Sequence, residues 1–330
     1  MQSYKIFQGI AVPYSALISV VFGLLAFSFP IGAYIFFNSG IGKSIDYQYP
    51  LGEMEFVKNL GIDWIGAIEI GDIFVVTWVF FLILFAIAAF GPRRNFMLVL
   101  TPIMAGTIDR QEGNYLVQTI KWFSVITVLS AVIDIIQRSF GITTTPPVFG
   151  NDLVQMMLVS VAPIIEEVGF RIILVGIPIY LLYARRASVK KFFKALWNPS
   201  DTLDIFDTKK AIVIIVISAA LFGAAHVMTD QGWTSGKLAQ ATMSGIIIGW
   251  VYVRYGFVAA ILIHWATNYV VFSYGYLVAS INDVGIMEAF SHSLIQTIEI
   301  IFVVTGILSL AMIWFCNKKH QMSSASLSPL

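Results

Sequence analysis

Residues 160–176 read SVAPIIEEVGFRIILVG and place three charged side chains, Glu166, Glu167 and Arg171, in a run of about thirty otherwise apolar residues. A run of that length can cross a bilayer as an α-helix. Each uncompensated charge at the centre of such a helix costs roughly 2.5 to 3.5 kcal/mol, so charged residues there face a partner or a water-filled cavity. The stretch therefore predicts a transmembrane helix with a polar site built into it.

The spacing of these residues gives them different surroundings on a helix. Glu167 and Arg171 are four residues apart and share a face, so this carboxylate has a counter-ion. Glu166 is rotated by roughly 100° and has no partner nearby in sequence. A buried carboxylate without a cation binds a proton more tightly, as a general base acting near neutral pH requires. This stretch alone leaves two interpretations open, a catalytic base and an ion pair with a spare acid facing a water pocket.

The composition of the chain indicates whether it folds in water or in a membrane. Of the 330 residues, 58% are hydrophobic and 12% are charged, against roughly 45 to 50% and about 25% in soluble domains. These values predict an all-α, polytopic integral membrane protein. The net charge of +1 argues against a nucleic-acid partner. With one cysteine, Cys316, we expect no disulfide framework within the chain.

The hydropathy pattern predicts about eight transmembrane helices. Their expected ranges are 14–37, 72–91, 121–140, 153–183, 211–228, 238–255, 257–280 and 293–316. Residues 96–105 are apolar but contain Pro102 and are too short to cross, so we expect an interfacial or re-entrant segment.

These spans divide the chain into three parts. Residues 1–150 hold three spans, an acidic loop and the interfacial segment, and residues 151–316 hold five spans and the polar motifs. Residues 317–330 are rich in serine, and we expect a disordered cytoplasmic tail. Between the fourth and fifth spans, residues 184–210 are basic and polar, a pattern typical of an amphipathic helix and linker at the membrane surface.

The distribution of lysine and arginine predicts the orientation. If both termini are cytoplasmic, Arg171 lies in the membrane and four of the 20 basic residues lie on the opposite side, namely Lys43, Lys58, Arg138 and Lys237. The other fifteen are then cytoplasmic, as the positive-inside rule requires. We therefore expect a multi-pass protein of the plasma membrane with both ends in the cytoplasm.

Two further motifs place polar side chains inside predicted spans. His226 follows Phe222 by four residues, among small residues that let another helix approach closely. A single histidine of this kind is more often a satisfied core residue than a functional one. His264 and Asn268 lie one turn apart on one face, and both can donate hydrogen bonds toward one point, as an oxyanion requires.

The order of the three motifs resembles that of the type II CAAX prenyl endopeptidases, also called the CPBP or ABI family of intramembrane proteases. The resemblance rests on Glu-Glu-x-x-x-Arg at 166–171, Phe-x-x-x-His at 222–226 and His-x-x-x-Asn at 264–268. It covers about residues 150–280, whereas the first 150 residues match in hydropathy alone.

The resemblance implies a role for the motif residues. Glu166 would be the general base for a water, assisted by His226. His264 and Asn268 would stabilise the tetrahedral oxyanion. The implied activity is that of an intramembrane endopeptidase without a cofactor, acting within the lipid on a peptide or lipidated, CAAX-type protein near its C-terminus.

The resemblance also implies a structural pair, Glu167 with Arg171, with the ring of Phe222 supporting the second motif. One departure is the spacing, since Glu166 and His226 are 60 residues apart and His226 and His264 are 38 residues apart. The basic linker at 184–210 accounts for the longer first interval.

Two other functions are compatible with the same residues. Glu166, His226 and His264 are ligand types that zinc accepts, so a zinc-dependent protease is one alternative, although the His-Glu-x-x-His helix of zinc peptidases is absent from the sequence. The other alternative is a non-proteolytic transporter or an immunity-type membrane binding protein, in which the glutamates carry protons or substrate.

The depths of these residues agree only in part. At 1.5 Å per residue in a hydrocarbon core of about 30 Å, Glu166 and His264 lie roughly 9 and 10 Å above the cytoplasmic surface. The same arithmetic puts His226 at roughly 22 Å. Its motif, not its depth, assigns His226 to the site.

The remaining charges at membrane depth are Asp134, Arg138 and Glu299. Asp134 and Arg138 are four residues apart, and we expect an ion pair near the outer interface. Glu299 is expected to face the outer headgroups.

Overall fold

The chain is helical throughout the part that the structure describes. The structure is a computed structural model and describes residues 2–58, 66–91, 95–104, 114–145, 150–184, 188–205, 207–228 and 232–325. Apart from an isolated bridge between Pro50 and Glu69, its regular elements are helices. The prediction of an all-α membrane protein is confirmed.

Ten helices make up the main architecture of these residues. In chain order they are α1 (Gln2–Asn38), α2 (Ile70–Phe90), α3 (Phe96–Met104), α4 (Tyr115–Ser139), α5 (Asp152–Glu167, continued by Val168–Gly176 and Ile177–Tyr183), α6 (Val189–Trp197), α7 (Thr208–Met228), α8 (Lys237–Tyr255), α9 (Phe257–Trp265, continued by Ala266–Val270 and Val271–Asn282) and α10 (Ser293–Ala325).

The number of spans is close to the predicted eight. Among the described helices, six are long and apolar enough to cross a membrane, and they correspond to α1, α2, α4, α7, α9 and α10. The other two predicted spans are α5 and α8, which are helical as expected. Helix α5 is divided by the π-helical segment Val168–Gly176, and α8 carries Lys237 and Arg254 within its 19 residues.

The start of α5 is fixed by a side-chain cap. Asn151 Oδ1 accepts hydrogen bonds from the backbone N–H groups of Leu153 and Val154, at 2.9 and 3.2 Å. Its Nδ2 donates to the carbonyl of Gly42 at 2.6 Å, which ties α5 to the loop that follows α1. An asparagine in this position satisfies backbone donors that a helix end otherwise leaves unpaired.

Helix α9 is the centre of the packed core. Residues 257–266 are all buried. The indole of Trp265 stacks on Phe29 of α1 and on Phe81 of α2, with ring centroids 4.7 and 5.6 Å apart. Aromatic contacts of this kind bury large apolar areas in fixed geometry, so the helix that carries His264 is held on several sides.

Helices α7 and α8 approach each other closely beside the second motif. A Cβ added to Gly223 would lie 2.8 Å from the carbonyl oxygen of Leu238, so a larger residue there would push the helices apart. Small residues allow this approach. It brings His226 near the start of α8.

The basic linker forms the predicted helix α6, which covers the turn between α8 and α9. Tyr252 donates a hydrogen bond to the carbonyl of Leu196 at 2.8 Å. Gly256 in the turn has φ of +91°, and a Cβ there would lie 2.9 Å from the carbonyl oxygen of Trp197. The turn is therefore buried beneath α6 and does not lie at the protein surface.

Several expectations concern residues outside the described ranges. These are the basic residues Arg93, Arg94, Arg110, Arg185 and Arg186 and the last five residues, 326–330. Helix α10 continues from the predicted span to Ala325, into the segment expected to be disordered.

Candidate active site

Glu166 and Glu167 lie where the hydrogen-bond pattern of helix α5 changes. They end its first α-helical part, and the next segment, Val168–Gly176, is a π-helix that contains Arg171. Segments of π-helix inside α-helices are frequent at functional sites. The Glu167 side chain is fully buried, whereas that of Glu166 is 21% exposed.

Glu167 and Arg171 form a buried ion pair. Arg171 Nε lies 3.1 Å from Glu167 Oε2, and both side chains are at most 2% exposed. The guanidinium also lies over the ring of Phe222, with Cζ 4.6 Å from the centroid. The ion pair and the cation–π contact together compensate the charge of Arg171, which would otherwise be costly at this depth.

His264 lies between the two glutamates. Its Nδ1 is 2.7 Å from Glu167 Oε1 and its Nε2 is 3.5 Å from Glu166 Oε2. Because a carboxylate accepts hydrogen bonds, the short contact assigns the proton to Nδ1. Sequence reasoning gave Glu167 an arginine partner and missed this second contact, since no local pattern relates positions 97 residues apart.

His226 approaches Glu166 from helix α7. Its Nδ1 donates to the carbonyl oxygen of Phe222 at 2.8 Å, and its Nε2 lies 3.8 Å from Glu166 Oε2. The ring of Phe222 makes edge contacts with His226 and His264, with centroids 4.6 and 5.8 Å away. Phe222 therefore orients both imidazoles as well as the guanidinium.

Three polar atoms converge at this point. With Nδ1 of His226 protonated, its Nε2 presents a lone pair toward Glu166 Oε2, and Nε2 of His264 faces the same oxygen. That oxygen has no hydrogen-bond partner in the described chain. Separations of 3.5 and 3.8 Å are too long for direct hydrogen bonds, so the arrangement favours a small donor such as water between the three atoms.

A metal ion is the alternative occupant of such a point. Within the ranges that the structure describes, no group of three or more His, Cys, Asp or Glu side chains has an arrangement that could hold a metal ion. The donor set is of the right type for zinc, and activity without a metal stays a prediction. We derive no chemical step through a metal.

Asn268 lies in a second π-helical segment, Ala266–Val270, directly after the helical turn that carries His264. Both residues line the same cavity. The Asn268 side chain is partly buried and forms no hydrogen bond to any described residue. Its amide is therefore available to a bound group.

The cavity has a volume of about 870 Å³ and is lined by α4, α5, α7, α8, α9 and α10. Glu166, His226, His264 and Asn268 contribute to its lining. So do Asp134 and Arg138, whose ion pair measures 2.7 Å, and Glu299. Glu299 was expected to face the outer headgroups, and the structure places it in the lining of this cavity.

The predicted difference in depth between His226 and Glu166 is wrong, since 3.8 Å separates their nearest polar atoms. The depth estimate assumed that each helix ends at the surface of the hydrocarbon core. Helix α5 is about 48 Å long at 1.5 Å per residue, so it extends beyond the core. Counted from Tyr183 and Thr208, the two helix ends that flank the linker, both residues lie about 26 Å along their helices.

Residues 151–270 match the family model of the type II CAAX prenyl endopeptidases described as Rce1-like. This segment is an Rce1-like domain. The resemblance drawn from the three motifs is thereby confirmed. No curated protein and no solved structure matches the chain.

The Rce1-like domain contains every residue of the site. Its range begins at the cap of α5 and ends in the π-helical segment that carries Asn268. Together with six apolar helices, the match to this domain supports an integral membrane protein. It supports hydrolytic activity of the intramembrane endopeptidase type.

Proposed function

We propose that this protein is an intramembrane endopeptidase in which Glu166 activates a water for attack on a peptide carbonyl. The observation that carries the proposal is the convergence of Glu166 Oε2 with the Nε2 atoms of His226 and His264, at 3.8 and 3.5 Å, on the wall of a cavity. A water held there has two acceptors for its hydrogens, Glu166 Oε2 and His226 Nε2.

In the proposed reaction, Glu166 takes a proton from the water as the oxygen attacks the carbonyl carbon. His226 Nε2 accepts the water's second hydrogen bond and orients it. When the C–N bond breaks, the proton held by Glu166 passes to the nitrogen of the departing amine. Proton transfer by a positioned carboxylate contributes typically 10²- to 10⁴-fold to a rate.

The negative charge that develops on the carbonyl oxygen is stabilised by Asn268 and His264 in this mechanism. Asn268 donates from its amide. His264 donates from Nε2, while Glu167 Oε1, 2.7 Å from Nδ1, holds the ring through its other nitrogen. Donors aimed at a developing charge in a water-poor site are usually the largest single catalytic contribution.

We propose further that the substrate is a lipidated, CAAX-type peptide or another membrane-associated peptide, cut near its C-terminus. The match to an Rce1-like domain supports this substrate class. The concentration of Lys and Arg on one predicted side of the membrane supports an orientation with both termini in the cytoplasm, and we propose the plasma membrane as the location.

The test is cleavage by purified protein in liposomes of a peptide that ends in a prenylated cysteine and three further residues. Wild-type protein should release the terminal peptide, as detected by mass spectrometry, and Glu166→Gln should lower the rate at least 100-fold. Glu53→Gln, at an exposed glutamate, is the matched control and should retain the rate.

Full activity of Glu166→Gln would overturn the base assignment. Wild-type protein that cleaves no membrane peptide, yet moves protons or solutes across the liposome, would favour a transporter.

A further inference from the structure

Lys237 is a cation that lines the active-site cavity and has no role in the proposed mechanism. It begins helix α8 and lines the same cavity as Glu166 and His226. Its Nζ lies 3.8 Å from the centroid of the Trp233 ring. That ring in turn lies 6.4 Å from the ring of His226. The ammonium group is thus held by an aromatic face close to the catalytic residues.

The charge of Lys237 has no direct ion-pair partner, although the more distant carboxylate of Glu166 attracts it. It forms no ion pair with any carboxylate of the described residues. Its position in the first turn of a helix is also unfavourable for a cation, because that end of the helix dipole is positive. A cation–π contact compensates such a charge only in part. An anion in the cavity would complete the site.

Gln240 supplies a second donor beside Lys237. It lies three residues further along α8, so the two side chains are neighbours on the helix surface. It also lines the cavity, and its amide forms no hydrogen bond within the described part of the chain. An ammonium and an amide side by side match the two oxygens of a carboxylate.

We propose that Lys237 and Gln240 bind the free C-terminal carboxylate of the peptide that the active site cleaves. This inference rests on the proposed endopeptidase function, since it places the substrate's end in the catalytic cavity. The terminal carboxylate is the anionic group that every peptide with a free C-terminus carries, whatever its side chains. Lys237 is then a specificity residue that admits chain ends and selects against internal segments.

The distances agree with a cleavage site close to the end of the substrate. The contacts from Glu166 to His226, from His226 to Trp233 and from Trp233 to Lys237 measure 3.8, 6.4 and 3.8 Å. An extended peptide advances about 3.3 to 3.6 Å per residue, so three or four residues span about 10 to 14 Å. Because these contacts set an upper limit, a scissile bond at Glu166 and a carboxylate at Lys237 are separated by at most a few residues.

The first measurement is binding of the apolar tripeptide Leu-Val-Leu, which is independent of turnover. Calorimetry on detergent-solubilised full-length protein should show that wild type binds the free acid roughly ten- to a hundredfold more tightly than the C-terminal amide, as expected for a charge-assisted hydrogen bond. Lys237→Gln should bind both forms equally. Lys237→Arg should restore part of the preference. Lys190→Gln, which removes an exposed lysine of α6, should behave as wild type.

The second measurement uses the prenylated substrate with a free or an amidated C-terminus. Wild type should prefer the free acid through a lower KM, and Lys237→Gln should lose this preference. Equal affinity of wild type for the acid and the amide, or a preference that survives in Lys237→Gln, would overturn the inference. Displacement of the tripeptide by vesicles of phosphatidylglycerol, but not by the amide, would assign Lys237 to a lipid phosphate and likewise overturn it. If Lys237→Gln loses activity but still binds the acid more tightly than the amide, Lys237 does not bind the carboxylate. If wild type does not cleave the peptide, that result contradicts the proposed function alone.

Discussion

His264 Nδ1 lies 2.7 Å from Glu167 Oε1, across 97 residues of sequence and between two different helices. The same glutamate lies 3.1 Å from Arg171 through its other oxygen. Glu167 therefore links the charge-compensating arginine to the histidine that faces Glu166, and its role goes beyond that of a salt-bridge partner.

The first prediction concerns Glu167→Gln. The amide can still accept the hydrogen bond from Nδ1 but holds the imidazole less firmly than a carboxylate does, so kcat should fall about 10- to 100-fold, as for other residues that orient a catalytic group. KM should change little, because Glu167 does not reach the cavity. Steady-state kinetics on the prenylated peptide measure both. An unchanged kcat would show that His264 does not donate to the oxyanion.

The second prediction concerns the ion pair itself. Arg171→Ala leaves Glu167 buried without its cation and should lower the free energy of unfolding by about 3 to 5 kcal/mol. Arg138→Ala is a matched control, because it breaks another i,i+4 pair whose arginine side chain is 71% exposed, and it should cost only about 0.2 to 1 kcal/mol. Unfolding of both variants in mixed micelles provides the comparison. Equal losses would mean that Arg171 is solvated in the native protein.

The third prediction concerns Asn268→Ala. If this amide stabilises the oxyanion, turnover should fall roughly 100- to 1,000-fold. Substrate affinity should stay nearly constant, because the interaction forms mainly in the transition state. Single-turnover kinetics separate the two quantities. A large rise in KM with normal kcat would instead make Asn268 a residue that binds the ground state.

The fourth prediction concerns metal dependence. We expect purified protein with little bound zinc to be active and to resist a chelator, because the proposed steps use protein side chains alone. Metal analysis of the same preparation used for kinetics is the measurement. Two results together would establish the metalloprotease alternative. His264→Ala would lose both stoichiometric zinc and activity, and chelated wild type would regain activity when zinc is added.

Periodicity within single helices predicted much of this protein. The spans follow from runs of apolar residues, and the face shared by Glu167 and Arg171 follows from helical spacing. The pairing of His264 with Glu167 and the common level of His226 and Glu166 depend on how helices pack, which local spacing does not encode. Lys237 carried a local signal, a cation at the start of a span, but sequence alone gave no reason to connect it with the cavity.

The turn at Gly256 has a consequence for the long linker of this chain. Helix α6 lies against that turn through the carbonyl of Trp197, and the turn sets where α9 begins, seven residues before His264. The linker therefore acts as a spacer that determines how far His264 is inserted toward Glu166. Shortening α6, or adding a residue between it and α7, should shift the histidine along its axis and reduce activity although no side chain of the catalytic centre has been altered.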